Sequence, residues 1–388
     1  NMGHFDNITI RPITGEPVAQ GVGTIYQDLP EKGHLSCLMV NLSNVCQFST
    51  DPGLDQWNIY TKFEVLVDGS KVVKSYDAKQ LRALAHYSGM SLSQLGWYGR
   101  HDTGEEKQFW NYPILFGRYP GDPEYMLDME RYSNPQLRIT YNADQTNVDG
   151  ETYNASANPY VRSGVEGLIM RDGPPKNLKG YIKSTEIDNW SCVASTTRQT
   201  EIPKGNNVIG YMQGSRYSDD KMIYWLESHE CTFDNGKWQL YDHSYSRLKA
   251  LEAMWYPRPV EIRIRKDMVT AKPIDLCVGV CNQFGEWYGS EANLQAKLAH
   301  EGTWNIQDVV NLTHAGAAPA MTSWDMFISG QFPHQNIYFP LHKYGEEGEF
   351  GIDTTKYGRI DVKTTTGANV STSANIQTVA EYVIPTGE

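Results

Sequence analysis

The feature that most constrains this chain is a unit that occurs twice. In residues 59–89, an alternating stretch from Ile59 to Val67 predicts a strand, and Asp68-Gly69 supplies hairpin-turn chemistry. A short return strand follows. Asp77 is then placed to cap a helix with Leu81, Leu84 and Ala85 on one face, and Gly89 is a stop signal. On the strand, Ile59, Thr61, Phe63, Val65 and Val67 are expected on one face, with Tyr60, Lys62, Glu64 and Asp68 on the other.

Residues 222–255 run in the same order. Met222-Ile223-Tyr224-Trp225-Leu226 leads through Cys231-Thr232-Phe233 into the turn Asp234-Asn235-Gly236, and Lys237-Trp238-Gln239-Leu240 returns as a strand. Asp242 and Ser244 offer helix caps, and Leu248, Leu251 and Trp255 share a helical face. Leu81-Arg82-Ala83-Leu84 matches Leu248-Lys249-Ala250-Leu251, each starting 12 residues after its turn glycine, Gly69 or Gly236. Before the turn the offset is 166, pairing Val67 with Phe233 and Val65 with Cys231, so the second turn holds one extra residue.

Later elements keep that order. Tyr112-Pro113-Ile114-Leu115 precedes the strand pattern Gln136 to Tyr141, and Phe339-Pro340-Leu341 precedes Arg359 to Lys363. Each copy closes with a polar loop and a last strand, Val165 to Met170 in one and Ile376 to Ile384 in the other. The chain therefore reads as two copies of one β-fold. Residues 1–172 form the first, 173–181 a linker around Gly173-Pro174-Pro175, and 182–388 the second. Val260 to Arg265 is expected to contribute a sandwich strand, and Ser290 to Glu301, ended by Gly302, an extra helix in the second copy.

Composition agrees with an all-β chain, since charged residues are only 21% and turn formers are abundant. The net charge of −12 argues against a general nucleic-acid binder, which needs a concentrated positive field. No run of about 18 apolar residues marks a membrane span, and no secretory signal is visible. Cys37, Cys46, Cys192, Cys231, Cys277 and Cys281 lack metal or disulfide-scaffold spacing and read as buried free thiols, which fits a reducing site of assembly.

Catalytic patterns are missing. No H-E-x-x-H, G-x-S-x-G or Walker loop occurs, and Gly21-Val22-Gly23 lacks the third glycine of a dinucleotide fingerprint. His229-Glu230 and His300-Glu301 have no second histidine at metal spacing and read as structural or surface residues. Gln145 to Ser156 is a poor calcium loop because Gln145 and Ser156 stand where a carboxylate ligand belongs. Glu105-Glu106 and Glu346-Glu347-Gly348-Glu349 read as charged loop tips rather than glycosidase carboxylates. Sequons at Asn7, Asn41, Asn154, Asn189, Asn311 and Asn369 carry no weight without a secretory signal. The 24 Tyr and 10 Trp are spread along the chain, as packing residues are, instead of forming one sugar platform. The sequence thus assigns no catalytic, cofactor-binding or metal-ligating residue, no cofactor and no enzymatic activity.

The two strand-turn-helix units resemble those of the double jelly-roll major capsid proteins of tailless icosahedral viruses, the tectivirus- and corticovirus-like phages and their relatives. Tyr112 to Arg118 with Leu137 to Thr140, and Phe332-Pro333 with Asn336 to Leu341, carry the likeness further. The resemblance spans nearly the whole chain as a pattern of elements, not a short motif. It implies an all-β fold of two tandem eight-stranded jelly rolls, with a short helix after a hairpin in each. It also implies a non-enzymatic shell protein whose homotrimers form pseudo-hexagonal capsomers in the virion, assembled in the host cytoplasm. Implied partners are other copies, neighbouring capsomers, minor capsid or vertex proteins and an internal membrane, without sequence-specific nucleic-acid binding. Many such relatives carry an N-terminal arm, whereas Phe5 to Ile10 already reads as a strand here. A β-sandwich carbohydrate-binding protein or glycoside hydrolase, and a viral spike or receptor-binding protein, are the alternative readings of an all-β chain.

Overall fold

The computed structural model describes residues 4–13, 22–47, 59–91, 96–100, 105–142, 160–171, 173, 175, 177–215, 222–267, 281–289, 323–344, 350–372 and 374–386. The first half contains β1 (His4–Arg11), β2 (Val22–Asp28), β3 (His34–Gln47), β4 (Tyr60–Val67) and β5 (Lys71–Tyr76). Helix α1 (Ala78–Tyr87) follows, then β6 (Gly96–Arg100), β7 (Glu105–Leu115), β8 (Leu127–Asp128), β9 (Gln136–Asn142) and β10 (Tyr160–Arg171). One antiparallel sheet runs β1-β10-β3-β7-β6, with β8 on β3, and the other runs β2-β9-β4-β5. Period-2 burial marks the inner faces: in β9, Leu137, Ile139 and Tyr141 are buried while Arg138 turns outward and pairs with Glu64 of β4 at 2.8 Å.

The second half contains β11 (Gly180–Ser191), β12 (Thr197–Glu201), β13 (Asn207–Ser215), the single turn α2 (Met222–Trp225), β14 (Ser228–Phe233) and β15 (Trp238–Ser244). Next come α3 (Tyr245–Trp255), β16 (Val260–Asp267), β17 (Cys281–Gly289), β18 (Ser323–Gln331), β19 (Asn336–Phe339), β20 (Ile352–Asp353), β21 (Ile360–Thr365) and β22 (Asn375–Pro385). Its sheets run β11-β22-β13-β19, with β20 on β13, and β12-β21-β14-β15. Apart from β6, which has no counterpart beside β19, this is the order of the first half.

The duplication reaches down to irregularities. Asp68 and Gly69 take positive φ of 52° and 78°, and the longer second turn places Asp234, Asn235 and Gly236 at 51°, 59° and 84°. Asp, Asn and Gly are the residues that tolerate this region at least cost. Each hairpin also carries a bulge at the same place: Val73 is skipped between the partners of Val65 and Leu66, and Leu240 between those of Cys231 and Thr232.

Asp77 and Gln80 form a reciprocal capping box at the start of α1. At its end, Gly89 (φ 83°) donates to the His86 carbonyl and Met90 to that of Ala85, the paired bonds of a Schellman stop. A further pair of matching segments escaped the sequence reading. Leu127-Asp128-Met129-Glu130-Arg131-Tyr132 and Ile352-Asp353-Thr354-Thr355-Lys356-Tyr357 each make a two-residue strand and a 3-10 turn whose second amide is capped by the aspartate. The shared signal, Asp followed by a basic residue and tyrosine, was visible in the sequence.

Several expectations need correction. Val260–Asp267 is not a sandwich strand: it belongs to a separate sheet, β16-β18-β17, inserted between α3 and β19. Alternation identified a strand and could not say which sheet it joins. Met222–Trp225 is helical, and the strand ahead of the second turn starts at Ser228. Thr61 is exposed because the register slips between Tyr60 and Lys62, shifting the alternation by one residue. Glu105 and Glu106 begin β7 instead of tipping a loop. Asp242 lies in β15, and Ser244 occupies the cap position of α3 without a side-chain hydrogen bond. Phe5 to Ile10 lies within β1, as expected, and Val22 opens β2. The helix expected at Ser290 to Glu301 lies outside the described residues.

Candidate functional site

The buried polar chemistry of this chain is concentrated where its two halves meet. Strand β5 and helix α1 of the first half lie against β11, β19 and the 333–335 turn of the second. Glu381 of β22 sits at the centre, 5% exposed. Its two oxygens accept from the hydroxyls of Tyr76 (2.6 Å) and Tyr338 (2.9 Å), one tyrosine from each half. The ammonium of Lys74, 1% exposed, stands 3.9 Å from the same carboxylate and near the rings of Tyr76 and Phe116. Burial pulls Lys74 down to about 8 despite the attraction of Glu381. Burial first, and the Glu381 charge second, push both tyrosines well above their usual range, which keeps them donors.

Helix α1 supplies the next layer. Gln80 donates to Gln377 at 2.9 Å, and Gln377 donates onward to Glu186. Arg82 lies over the Trp110 ring, 4.3 Å from its centroid, and its Nε donates to His334 Nε2 at 3.1 Å. Burial and the positive charges of Arg82 and Lys79 hold His334 well below its usual range, so the ring is neutral and free to accept. Tyr87 donates to the Asn336 carbonyl at 2.8 Å and lies 3.3 Å from Glu252 of α3. Glu252, 2% exposed, also accepts from the Phe332 amide, and burial raises its pKa to about 7.

Backbone closes one end of the seam. Ile182 donates to Phe116, Met126 to Gly180 and Lys179 to Glu124. Gly180 has φ +151°, and a Cβ there would land on the Ile384 carbonyl, so this crossing point requires glycine. The arrangement holds two sandwiches in one register. Its charges are mutually engaged instead of converging on an open space. A buried polar network of this kind is a rigid joint.

Beside this crossing lies an open hollow of about 450 Å³ lined by Arg118, Tyr119, Pro123, Glu124, Pro175 and Asn177. Arg118 is committed there to Asp122 (2.7 Å) and Glu124 (2.8 Å), and Lys179 adds a second contact to Glu124. Among the described residues, those weighed as catalytic or metal-binding do not form a metal-binding group. His229 is fully buried, hydrogen-bonded to Tyr211 at 2.6 Å and stacked on Phe339, while Glu230 pairs with Lys363 at 3.1 Å. His300, Glu301, Gln145 to Ser156 and Glu346 to Glu349 lie outside the described residues. Cys37, Cys192 and Cys231 are buried free thiols, and Cys277 lies outside the described residues. Among the described residues no cluster of three or more His, Cys, Asp or Glu side chains could hold a metal ion, and no helix is long and apolar enough to cross a membrane.

No family model and no curated protein matches the sequence. Solved structures do match, over nearly the whole chain. The crystal structure of the STIV MCP superposes with a TM-score of 0.59 at 11% identity, covering 99% of this chain and 98% of that one. This is the double jelly-roll fold. The same double jelly roll matches a chain in the atomic structure of Sulfolobus Turreted Icosahedral Virus (TM-score 0.57, 11% identity, 99% and 92% covered). It also matches the PBCV-1 virus capsid (0.54, 8% identity, 98% and 94% covered). In double jelly-roll terms the seam joins the outer strand and helix of the first roll to the second. Sequence reasoning anticipated that helix but named none of the seam's polar residues. Lys74 and Tyr76 alternate with Val73 and Ser75 in β5, and their shared partner, Glu381, comes from the second roll.

Proposed function

We propose that this chain is the major capsid protein of an icosahedral virus, acting as a homotrimer whose six jelly rolls form one pseudo-hexagonal tile. The observation that carries this reading is the two-way coverage: the chain matches the STIV MCP from end to end in both directions, with no roll left over on either side. The seam supports it too, because a rigid pair of similar blocks is what a tile of six requires. The two rolls divide as residues 1–172 and 182–388, with 173–181 between them.

In this role the protein has no catalytic site, resides in the capsid shell and is assembled in the host cytoplasm. Its partners are further copies, neighbouring capsomers, minor or vertex proteins and an underlying membrane. The hollow at Arg118 does not favour the carbohydrate reading, since its Arg118 and Glu124 are engaged with each other and Tyr119 is the one aromatic side chain among its described lining residues. Native mass measurement of the purified full chain tests the proposal. The expected result is a species of three chains; a monomer at every concentration would overturn it.

A further inference from the structure

The two halves share a corner that they fill with different chemistry. In each, the aspartate of the hairpin turn accepts from a backbone amide in a distant loop: Asp68 from Ser133 at 2.9 Å, and Asp234 from Gly358. Each amide directly follows the tyrosine that ends a matched segment, Tyr132 or Tyr357. In the second half Trp238 covers Tyr357, with ring centroids 5.3 Å apart, and stacks on Phe233 at 4.1 Å. The neighbouring cation, Arg359, is paired with Asp361 at 2.8 Å and with Glu201 at 3.4 Å. Strand register matches Trp238, opposite Phe233, to Lys71, opposite Val67. The Lys71 ammonium stands over the Tyr132 ring, 5.3 Å from its centroid. A cation has replaced the indole.

That first corner gathers further cations and leaves them unpaired. Strand β11 of the second roll packs on β5, and Tyr132 donates to the Tyr181 hydroxyl at 3.4 Å. Tyr181 and Lys183, two apart in β11, lie on one face of the strand. Arg131 is close enough for its charge to act on the Tyr181 hydroxyl. Burial first, and the Lys71 charge second, hold Lys183 below its ordinary range. Among the described residues, Lys71, Arg131 and Lys183 form no ion pair. Asp68, whose charge also acts on Tyr181, is committed to the amide and hydroxyl of Ser133. The Tyr181 hydroxyl, on a residue 5% exposed, accepts from Tyr132 and donates to no described group. Like charges held together in partly buried surroundings cost stability. The second half shows that the fold closes this corner without a cation over the ring.

We infer that Lys71, Arg131, Lys183 and the Tyr181 hydroxyl form a binding site for a phosphate group where the two rolls meet. The lysines act as point charges, the guanidinium as a planar donor and the phenol as a neutral donor to a phosphate oxygen. A dianion among three cations turns their mutual repulsion into attraction. Lys71 and Arg131 belong to the first roll and Tyr181 and Lys183 to the second, so a bound phosphate ties one roll to the other. The phosphate is either a free anion or the head of a lipid; the chemistry of recognition is the same. This site goes beyond the shell reading and stands whether or not the chain forms trimers.

Isothermal titration of the full chain with inorganic phosphate tests the site, at constant ionic strength so that general screening is held fixed. The expected result is saturable binding, with a melting temperature that rises as phosphate is added. Lys71→Gln and Lys183→Gln should each weaken binding by about tenfold or more, the loss of one charged donor. Without phosphate both should melt no lower than the parent, since each removes a repulsion. Lys237→Gln makes the same charge change at an exposed position beside Trp238, in the matching corner, and should bind like the parent. Vesicles of phosphatidylcholine, with and without phosphatidic acid, separate the two sources. Co-sedimentation with phosphatidic acid that Lys71→Gln and Lys183→Gln both lose assigns a lipid head; binding of inorganic phosphate alone assigns a free anion. No saturable binding in either arm overturns the proposal. So does binding that Lys237→Gln weakens as much as Lys71→Gln and Lys183→Gln do.

Discussion

Replacing Glu381 with leucine is expected to destabilise the protein by about 3–5 kcal/mol, the cost of stranding a buried charge. The change leaves Lys74 buried with no counter-charge and removes the acceptor for the Tyr76 and Tyr338 hydroxyls. Chemical denaturation read by tryptophan fluorescence should show a large fall in midpoint. Lys74→Met combined with Glu381→Leu should recover most of the loss, because an apolar pair of similar volume needs no desolvation. The non-additivity of that cycle measures the coupling across the seam. If Glu381→Leu alone costs under about 1 kcal/mol, the ordinary range of an exposed pair, the seam is not the rigid joint described here.

The second large effect depends on pH. Glu252 has a pKa raised from 4.5 to about 7 by burial, so the folded chain holds a proton that the unfolded chain has released between those values. The stability this proton brings is fully present below pH 4.5 and is lost as pH rises through 7. Lys74 runs the opposite way. With its pKa lowered from 10.5 to about 8, stability is lost as pH falls from 10.5 to 8. Both penalties are therefore in force between pH 7 and 8.

Glu252→Gln keeps an oxygen for the Phe332 amide and removes the ionisation. At pH 8 it should raise stability by about 3 kcal/mol, an order-of-magnitude figure from 1.36 kcal/mol per pK unit. The gain should fade as pH falls and vanish near pH 4.5. Melting temperatures of both proteins across that range check this, and a gain that does not change with pH would contradict the assignment to Glu252.

Local chemistry was legible in the sequence because short-range rules decide it. The turns at Asp68-Gly69 and Asp234-Asn235-Gly236, the cap at Asp77 and the stop at Gly89 follow from backbone preferences of single residues. The duplication was legible because two chains of such signals run in the same order. What escaped the reading depends on distant chain. Val260–Asp267 has the alternation of a sandwich strand but belongs to the inserted sheet, since period-2 patterning marks a strand and not the sheet it joins. Lys74 and Tyr76 find their shared partner, Glu381, some 300 residues later in the second roll, and no local pattern carries that information. Helix α3 shows the same limit: Leu248, Leu251 and Trp255 share a face in the sequence pattern, and of the three only Leu248 is buried.

The central claim is that six jelly rolls, two from each of three copies, surround one axis. Electron microscopy of the purified, assembled protein tests it most directly. The account predicts tiles with six similar lobes and a hexagonal outline, made of three chains. Particles that contain only two lobes at every concentration, and never build a ring or shell, would contradict it.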